Sequence, residues 1–189
     1  DLYMTSQVIH HKHLFKSFCQ EAGITTPQAL SFSDTQSASV ALDSLDFPVV
    51  VKPVDQTGGT GISIVHNSID YTRAVEYAFE SSYSGNIVVE EFIEGDLCSF
   101  STFVVNNQVV FNFSDQEFSF ESRFSVSTSA GPYQYIDQYR DELIRQIEAI
   151  AGNLDLVDGL LHVQFIANGG KPYIIEVTRR MSGDFYAYP

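Results

Sequence analysis

Two apolar runs joined by an Asn-Gly-Gly-Lys tetrapeptide restrict this 189-residue chain more than any other feature. Residues 159–184 read GLLHVQFIANGGKPYIIEVTRRMSGD. The pattern predicts two strands, LLHVQFIA and PYIIEVTRR, with a tight turn at Asn168, Gly169, Gly170 and Lys171. Strand side chains alternate between faces. His162 and Gln164 therefore share one face of the first strand, and Glu176, Thr178 and Arg180 share one face of the second. The turn decides whether the two sets meet. A two-residue Gly-Gly loop puts Gln164 and Glu176 on opposite faces. A three-residue loop over 169–171 pairs them directly, with Cβ atoms ~4.5–5.5 Å apart, a gap that one cation bridges. Val163, Phe165, Ile175 and Val177 are expected to pack a core on the other side. A stripe of amide, carboxylate, hydroxyl and guanidinium on a half-buried sheet is costly unless something offsets it. A metal ion with a phosphate would.

The apolar content of 44% marks a globular chain. A net charge of −14 argues against a nucleic-acid surface, which needs clustered Lys and Arg. The few basic residues are informative by position: Lys52, Arg179 and Arg180 fall beside the suspected chemistry. No apolar run reaches the roughly 18 residues of a membrane span, and no secretory pattern is present. No membrane partner and a cytoplasmic location are expected. Cys19 and Cys98 form no spacing motif and read as free thiols in a reducing compartment. The chain starts at Asp1 and stops at Pro189, just past the polar stripe, and is expected to be a piece of a longer protein.

Residues 5–22 have helical spacing, with Leu14, Phe15, Phe18, Cys19 and Ala22 on one face, Lys12 and Lys16 one turn apart beside it, and Gly23 as the cap. His10, His11 and His13 point in different directions on such a helix, so no metal site is expected there. A short helix is expected over 35–46 and a strand over 47–54 (FPVVVKPV), buried on both faces. Lys52 at the end of that strand needs a partner or a route to solvent. DQTGGTGISIV follows. Gly58, Gly59 and Gly61, with Thr57, Thr60 and Ser63, form a loop that leads into a strand. It is therefore neither a Walker loop nor a dinucleotide loop. Its backbone N–H groups can still fold over phosphates, and Lys52 just before it strengthens that reading. Residues 68–83 read as a helix, with Ala74, Tyr77 and Ala78 on one side. NIVVEEFIEGD runs from a buried strand into two acids, Glu90 and Glu91. Residues 99–120 alternate as a hairpin turning at Asn106 and Asn107. Residues 121–135 read as a polar loop. Residues 136–153 form the strongest helix, striped by Tyr139, Leu143, Ile147 and Ile150. Helices backing mainly antiparallel strands point to an α+β architecture.

Together these pieces resemble the ATP-grasp superfamily, carboxylate–amine ligase and carbamoyl phosphate synthase-like members included, over most of the chain. HKHLFKSFCQEAGITTP resembles the family's Lys-led helix, with Lys12 in the place that reaches ATP. FPVVVKP resembles the strand whose Lys contacts the α/β-phosphates, here Lys52. QTGGTGIS resembles the mobile loop over the β/γ-phosphates, implying contacts from Thr57, Gly58, Gly59, Thr60 and Gly61. VVEEFIEG resembles the hinge that holds adenine, here Glu90, Glu91, Phe92 and Ile93. HVQF with IIEVTRR resembles the paired strands that bind Mg²⁺, here Gln164, Glu176 and Thr178. Many members carry Glu at the position of Gln164, and carbamoyl phosphate synthase-type domains use Gln. The stripe usually reads Glu-x-Asn-x-Arg, and here Thr178 replaces Asn. The family's ribose Glu is matched by Leu97, with Asp96 the nearest substitute.

The resemblance implies two α+β subdomains with ATP held between them: a connection over 1–26, a small subdomain over 27–92 with the glycine loop, and a larger one over 93–189. It implies ATP and Mg²⁺ (or Mn²⁺) as cofactors and a missing N-terminal domain. It also implies small-molecule carboxylate and amine partners, and it is compatible with a homodimer in the full-length protein. The implied reaction converts a carboxylate or bicarbonate to an acyl phosphate, which an amine then attacks. Lys52, Arg180 and His162 would serve the charge of phosphoryl transfer. Arg179, on the other face, reads as an ordinary salt-bridge partner, and Arg123 is a candidate carboxylate contact. The alternative is an ATP-binding module that has lost catalysis and serves regulation or assembly.

Overall fold

The first helical stretch is broken, not continuous. α1 (Tyr3–His10) stops at His11, whose backbone is extended, and α2 (Lys12–Ala22) starts with Lys12. Gly23 closes α2 at φ 66°, where its lack of a Cβ removes the usual penalty. The computed structural model describes residues 3–56, 58–120, 124 and 126–180.

The next elements build one sheet. They are β1 (Ala29–Phe32), α3 (Thr35–Val40), β2 (Val49–Pro53), β3 (Ser63–Val65), α4 (Ser68–Ser81) and β4 (Ile87–Glu91). The strand order is β1-β4-β2-β3, with every pair antiparallel. β1 has no alternation that sequence could have read; its four residues are only partly covered. α3 begins at Asp34, whose carboxylate accepts from the Ser37 amide at 2.7 Å, and passes into a 3₁₀ turn at Ala41–Ser44. α4 starts at Asn67, which caps the Ile69 and Asp70 amides. It packs on the sheet through Tyr71, Ala74, Val75 and Ala78. Tyr77, expected on that side, is 47% exposed. At 3.6 residues per turn it lies about 100° around the helix from the centre of that stripe.

The second sheet follows. It comprises β5 (Asp96–Val105), β6 (Gln108–Phe118), β7 (Thr128–Ala130), α5 (Arg140–Asn153), β8 (Gly159–Asn168) and β9 (Lys171–Thr178). Its order is β7-β6-β5-β8-β9, again antiparallel throughout. β7 falls within the stretch read as a loop. Leu143, Ile147 and Ile150 of α5 are fully buried against this sheet with Phe100, Leu161, Val163, Phe165 and Ile174. The α+β reading therefore holds, with two antiparallel sheets and a separate apolar core behind each. Both cysteines are free and buried. Among the described residues no helix is long and apolar enough to cross a membrane.

The segment after Gly23 ties the sheets together. Thr25 O accepts from the Ile174 amide of β9 at 2.8 Å, and Gln28 O accepts from the Glu91 amide of β4 at 2.8 Å. Gln146 of α5, wholly buried, accepts from the Thr25 amide at 2.7 Å. Thr25 thus spends its backbone groups on β9 and α5 and Gln28 its carbonyl on β4, instead of on a turn of their own.

Candidate active site

The β8–β9 turn is the two-residue loop, Gly169 and Gly170, with φ of 54° and 81° and Asn168 paired to Lys171. That register alone would put Gln164 and Glu176 on opposite faces. A β-bulge corrects it. Phe165 pairs with Ile174, but Gln164 pairs with Glu176, so Ile175 is the extra residue. The expected pairing is present for a different reason from the three-residue turn. The bulge also moves Ile175 out of the core position assigned to it: Ile174 takes that place, fully buried, and Ile175 lines the cleft.

The β5–β6 hairpin repeats the device. Asn106 and Asn107 make a two-residue turn with φ of 48° and 62°. The register then shifts between Phe103 and Val104, so Phe103 pairs with Phe111 while Val104 pairs with Val109. Val110 is the extra residue. Without it Ser99 would face Ser114; with it Ser99 faces Asp115. Asp115 and Glu117 are thereby turned to the same face as Gln164. The Ser99 hydroxyl donates to the Asp115 carboxylate, and burial raises the Asp115 carboxyl above its ordinary range.

These strands floor a cleft whose other wall is α2, β2, the hinge and the glycine loop. One end is polar, about 430 Å³, lined by Lys12, Gly58, Gly59, Glu117, His162, Gln164, Glu176, Thr178 and Arg180. The other is more apolar, about 450 Å³, lined by Lys52, Glu90, Glu91, Phe92, Ile93, Leu97, Ile166 and Ile175 among others. The two ends share Lys12, Gln164 and Glu176, so they form one cleft.

The lysines are placed by their helix and strand. Lys12 Nζ donates to Gln56 O at 2.9 Å, at the root of the glycine loop. Burial lowers its proton affinity against the pull of the Glu176 carboxylate. Lys52 Nζ lies 2.8 Å and Lys16 Nζ 3.6 Å from Glu90 Oε1. Burial works to raise the Glu90 carboxyl, but the two ammoniums outweigh it and hold it below its ordinary value. Glu90 is itself buried, 4% exposed. Lys16, one turn along α2 from Lys12, is 3% exposed and donates to Thr26 Oγ1 at 2.6 Å.

That burial has a pH signature. Desolvation brings the Lys16 amine from 10.5 down to about 8. The unfolded lysine keeps the higher value, so unfolding takes up a proton between the two, and stability rises across that window. Below about pH 8 the full cost of burying the charge is present. Urea unfolding is expected to show the wild type gaining on the order of 2 kcal/mol relative to Lys16→Met between about pH 8 and about pH 10. A pH-independent difference would contradict this placement.

Gly61 shows how tightly the loop's exit is packed. It has φ 76°, and a Cβ there would come within 2.6 Å of Ser81 Cβ and 2.8 Å of Pro53 Cγ. Gly58, at φ 65°, has open space around it. Gly61→Ala is expected to cost about 3 kcal/mol in denaturant unfolding, and Gly58→Ala about 1 kcal/mol. Equal costs would show that the packing is not as described.

The remaining candidates divide. His162, 8% exposed, lines the polar end and shares a 2.9 Å hydrogen bond through Nδ1 with Ser101 Oγ. Arg180 lines the same end. Arg179 instead donates to Leu160 O at 2.7 Å and Val157 O at 2.6 Å, outside the cleft. Thr60 is exposed and Gly61 is packed against Pro53, whereas Gly58 and Gly59 line the polar end. At the hinge, the Glu91 amide donates to Gln28 O and the Phe92 amide to Pro48 O. Asp96 does not serve as the ribose candidate. Period-two alternation turns its carboxylate to the helix-packed face, where it accepts from Tyr133 OH at 2.9 Å, and Leu97 lines the cleft instead. Thr57 and Arg123 lie outside the described residues. The sequence reading missed Glu117, Ile62 and Ile166 in the cleft, and the contact of Lys16 with Glu90. Extending the hairpin register past Asp115 could have found Glu117 only if the bulge had been known.

The donor set suits a hard cation. Gln164 and Glu176 are direct cross-strand partners, and Thr178 Oγ1 is buried without a hydrogen-bond partner among the described residues. An orphaned hydroxyl beside an amide and a carboxylate is what an oxygen-ligated ion shared with phosphates would complete. Among the described residues no group of three His, Cys, Asp or Glu side chains could hold a metal on its own. The site fits Mg²⁺ held partly by a ligand's oxygens better than a soft metal held by protein alone. His11 and His13, with ring centroids 5.9 Å apart, are no exception.

A family model described as ATP-grasp domain matches residues 9–184. Solved structures of the same fold include the L-amino acid ligase of Bacillus licheniformis, 23% identical, TM-score 0.75, covering 95% of this chain and 42% of that one. The D-alanine–D-alanine ligase of Bacillus anthracis complexed with ATP is 22% identical, TM-score 0.72, covering 93% and 56%. The biotin carboxylase of Campylobacter jejuni is 17% identical, TM-score 0.82, covering 95% and 42%. The chain thus spans roughly half the length of these proteins.

Proposed function

The chain belongs to the ATP-grasp family, and on that premise we propose that it is the nucleotide-binding core of an ATP- and Mg²⁺-dependent ligase. The enzyme would activate a carboxylate, or bicarbonate, as an acyl phosphate for attack by an amine or similar nucleophile. One observation carries the reading: Gln164 and Glu176 are paired across the ladder, opposite Lys12 and the glycine loop. The relatives named above supply the reaction class, and residues 27–92 and 93–189 would act as its two lobes.

In this reading Mg²⁺, when bound, neutralises phosphate charge as the γ-phosphoryl meets a negative carboxylate. The chain's own residues do the rest. Lys52 and Lys12 hold the triphosphate. Glu90 keeps the Lys52 ammonium fixed before nucleotide arrives. Adenine lies at the hinge, in the more apolar end of the cleft lined by Phe92, Ile93 and Leu97. Gly58 and Gly59 bring backbone amides to the phosphates and exclude water, which an acyl phosphate requires. Arg180 offers a fork to the transferred phosphoryl, and His162 is held by Ser101 to face the same oxygens.

A second reading, a nucleotide-binding module without turnover, draws on Leu97, an apolar residue lining the cleft where a ribose partner is expected. ADP release by the full-length protein, with Mg²⁺ and a panel of amino acids and small carboxylates, separates the two. Release dependent on one carboxylate and one amine is expected. Nucleotide binding with no release for any pair would favour the module.

A further inference from the structure

A glutamine that ligates a cation has an ambiguity that a glutamate lacks. The two ends of its amide have nearly the same shape, but only the carbonyl oxygen attracts a cation, while the NH₂ repels it. Something must decide which end faces the ion. In this fold Gln164 Nε2 donates to Glu117 Oε2 at 2.8 Å. An ionised carboxylate only accepts, so it draws the amide nitrogen toward β6 and leaves the carbonyl oxygen for the cleft. Glu117 is well placed to do this. It is 6% exposed and lines the polar end of the cleft. Its backbone is fixed in the β6–β7 ladder opposite Ser129, and the Val110 bulge puts it on the site face at all.

We propose that Glu117 is a positioning residue that sets the amide orientation of Gln164, so that a glutamine serves where a carboxylate would otherwise be needed. The proposal rests on the reading of Gln164 and Glu176 as cation ligands. It adds that the negative charge absent at 164 stands on β6, across the intervening β5, acting through the amide and not on the ion.

The test uses the full-length protein with ADP and no acceptor, and Mn²⁺ as the probe, its binding followed by electron paramagnetic resonance. Wild type is expected to bind Mn²⁺. Glu117→Ala is expected to weaken that binding about tenfold, the scale of losing a group that orients a ligand, with metal-free ADP affinity unchanged. Glu117→Gln keeps the volume but lets either end of either amide face the other, and is expected to lose about tenfold. The exchange variant, Glu117→Gln with Gln164→Glu, keeps the total charge and reverses the hydrogen bond, leaving no ligand amide to orient. It is expected to return to within about threefold of wild type. Mn²⁺ affinity unchanged in both single variants overturns the proposal alone. So does a loss that the exchange does not recover, because the carboxylate would then act at 117 by direct contact. If Glu117→Ala does not fold, the two isosteric variants decide. Absence of Mn²⁺ binding in wild type overturns the ligand reading and this proposal with it.

Discussion

Glu176→Gln is expected to weaken Mn²⁺ binding in the presence of ADP by about a hundredfold or more, because removing even groups that only orient a metal's ligands costs ten- to a hundredfold. Metal-free ADP affinity should change little. The carboxylate has no substitute in place: its cross-strand partner Gln164 brings an amide, and Thr178 brings a hydroxyl. Neither carries the charge that offsets dehydration of a small divalent ion. A second effect follows from the same substitution. The Glu176 carboxylate works to raise the Lys12 amine, whose proton affinity burial lowers. Without it Lys12 loses its proton at a lower pH, so the variant's ADP affinity should fall earlier on the alkaline side. Calorimetric titration with and without Mn²⁺ reads both. Unchanged metal dependence would remove Glu176 from the site.

Lys52→Met should act on binding and stability together. The Lys52 side chain is 12% exposed and its ammonium is 2.8 Å from Glu90 Oε1, while Lys16 is farther away at 3.6 Å. Removing one partner of a buried pair commonly costs ~3–5 kcal/mol. Glu90 keeps Lys16, so about 2 kcal/mol is expected in urea unfolding. The phosphates lose a charge-assisted contact of about 1.5–3 kcal/mol, roughly ten- to a hundredfold in ATP affinity. The triple variant Lys16→Met, Lys52→Met and Glu90→Leu, which removes the buried charges together, should recover the stability and not the affinity. Recovery of both would mean that Lys52 only neutralises Glu90 and never meets nucleotide.

Much of this was legible in the sequence because the informative residues follow simple periods. The α5 stripe of Leu143, Ile147 and Ile150 and the Asn106-Asn107 turn stand where 3.6-residue spacing and turn chemistry put them. Lys52 at the end of an apolar strand did need a partner, and it has one in Glu90. What escaped was set by register. Both hairpins turn on two residues, and both carry one extra residue, Val110 or Ile175, that flips everything beyond it. Such a residue looks like any other apolar strand residue, because a bulge is decided by what the neighbouring strand offers. The site's polar face depends on these two insertions. They bring Glu176 to Gln164 and turn Glu117 inward. Asp96 failed for the converse reason: one step of alternation sends it to Tyr133 and leaves Leu97 at the cleft. Lys16 escaped because burying a lysine depends on a long-range partner, Glu90, that lies 74 positions away along the chain.

On the proposed reading, the cleft between the two sheets would hold a nucleotide whose phosphates share a divalent ion with Gln164 and Glu176. Anomalous scattering from crystals grown with Mn²⁺ and ADP locates that ion directly. A peak is expected within coordination distance of both side chains, with the diphosphate on its far side toward Lys12 and Lys52. A peak elsewhere, or ADP bound outside the cleft, would contradict it.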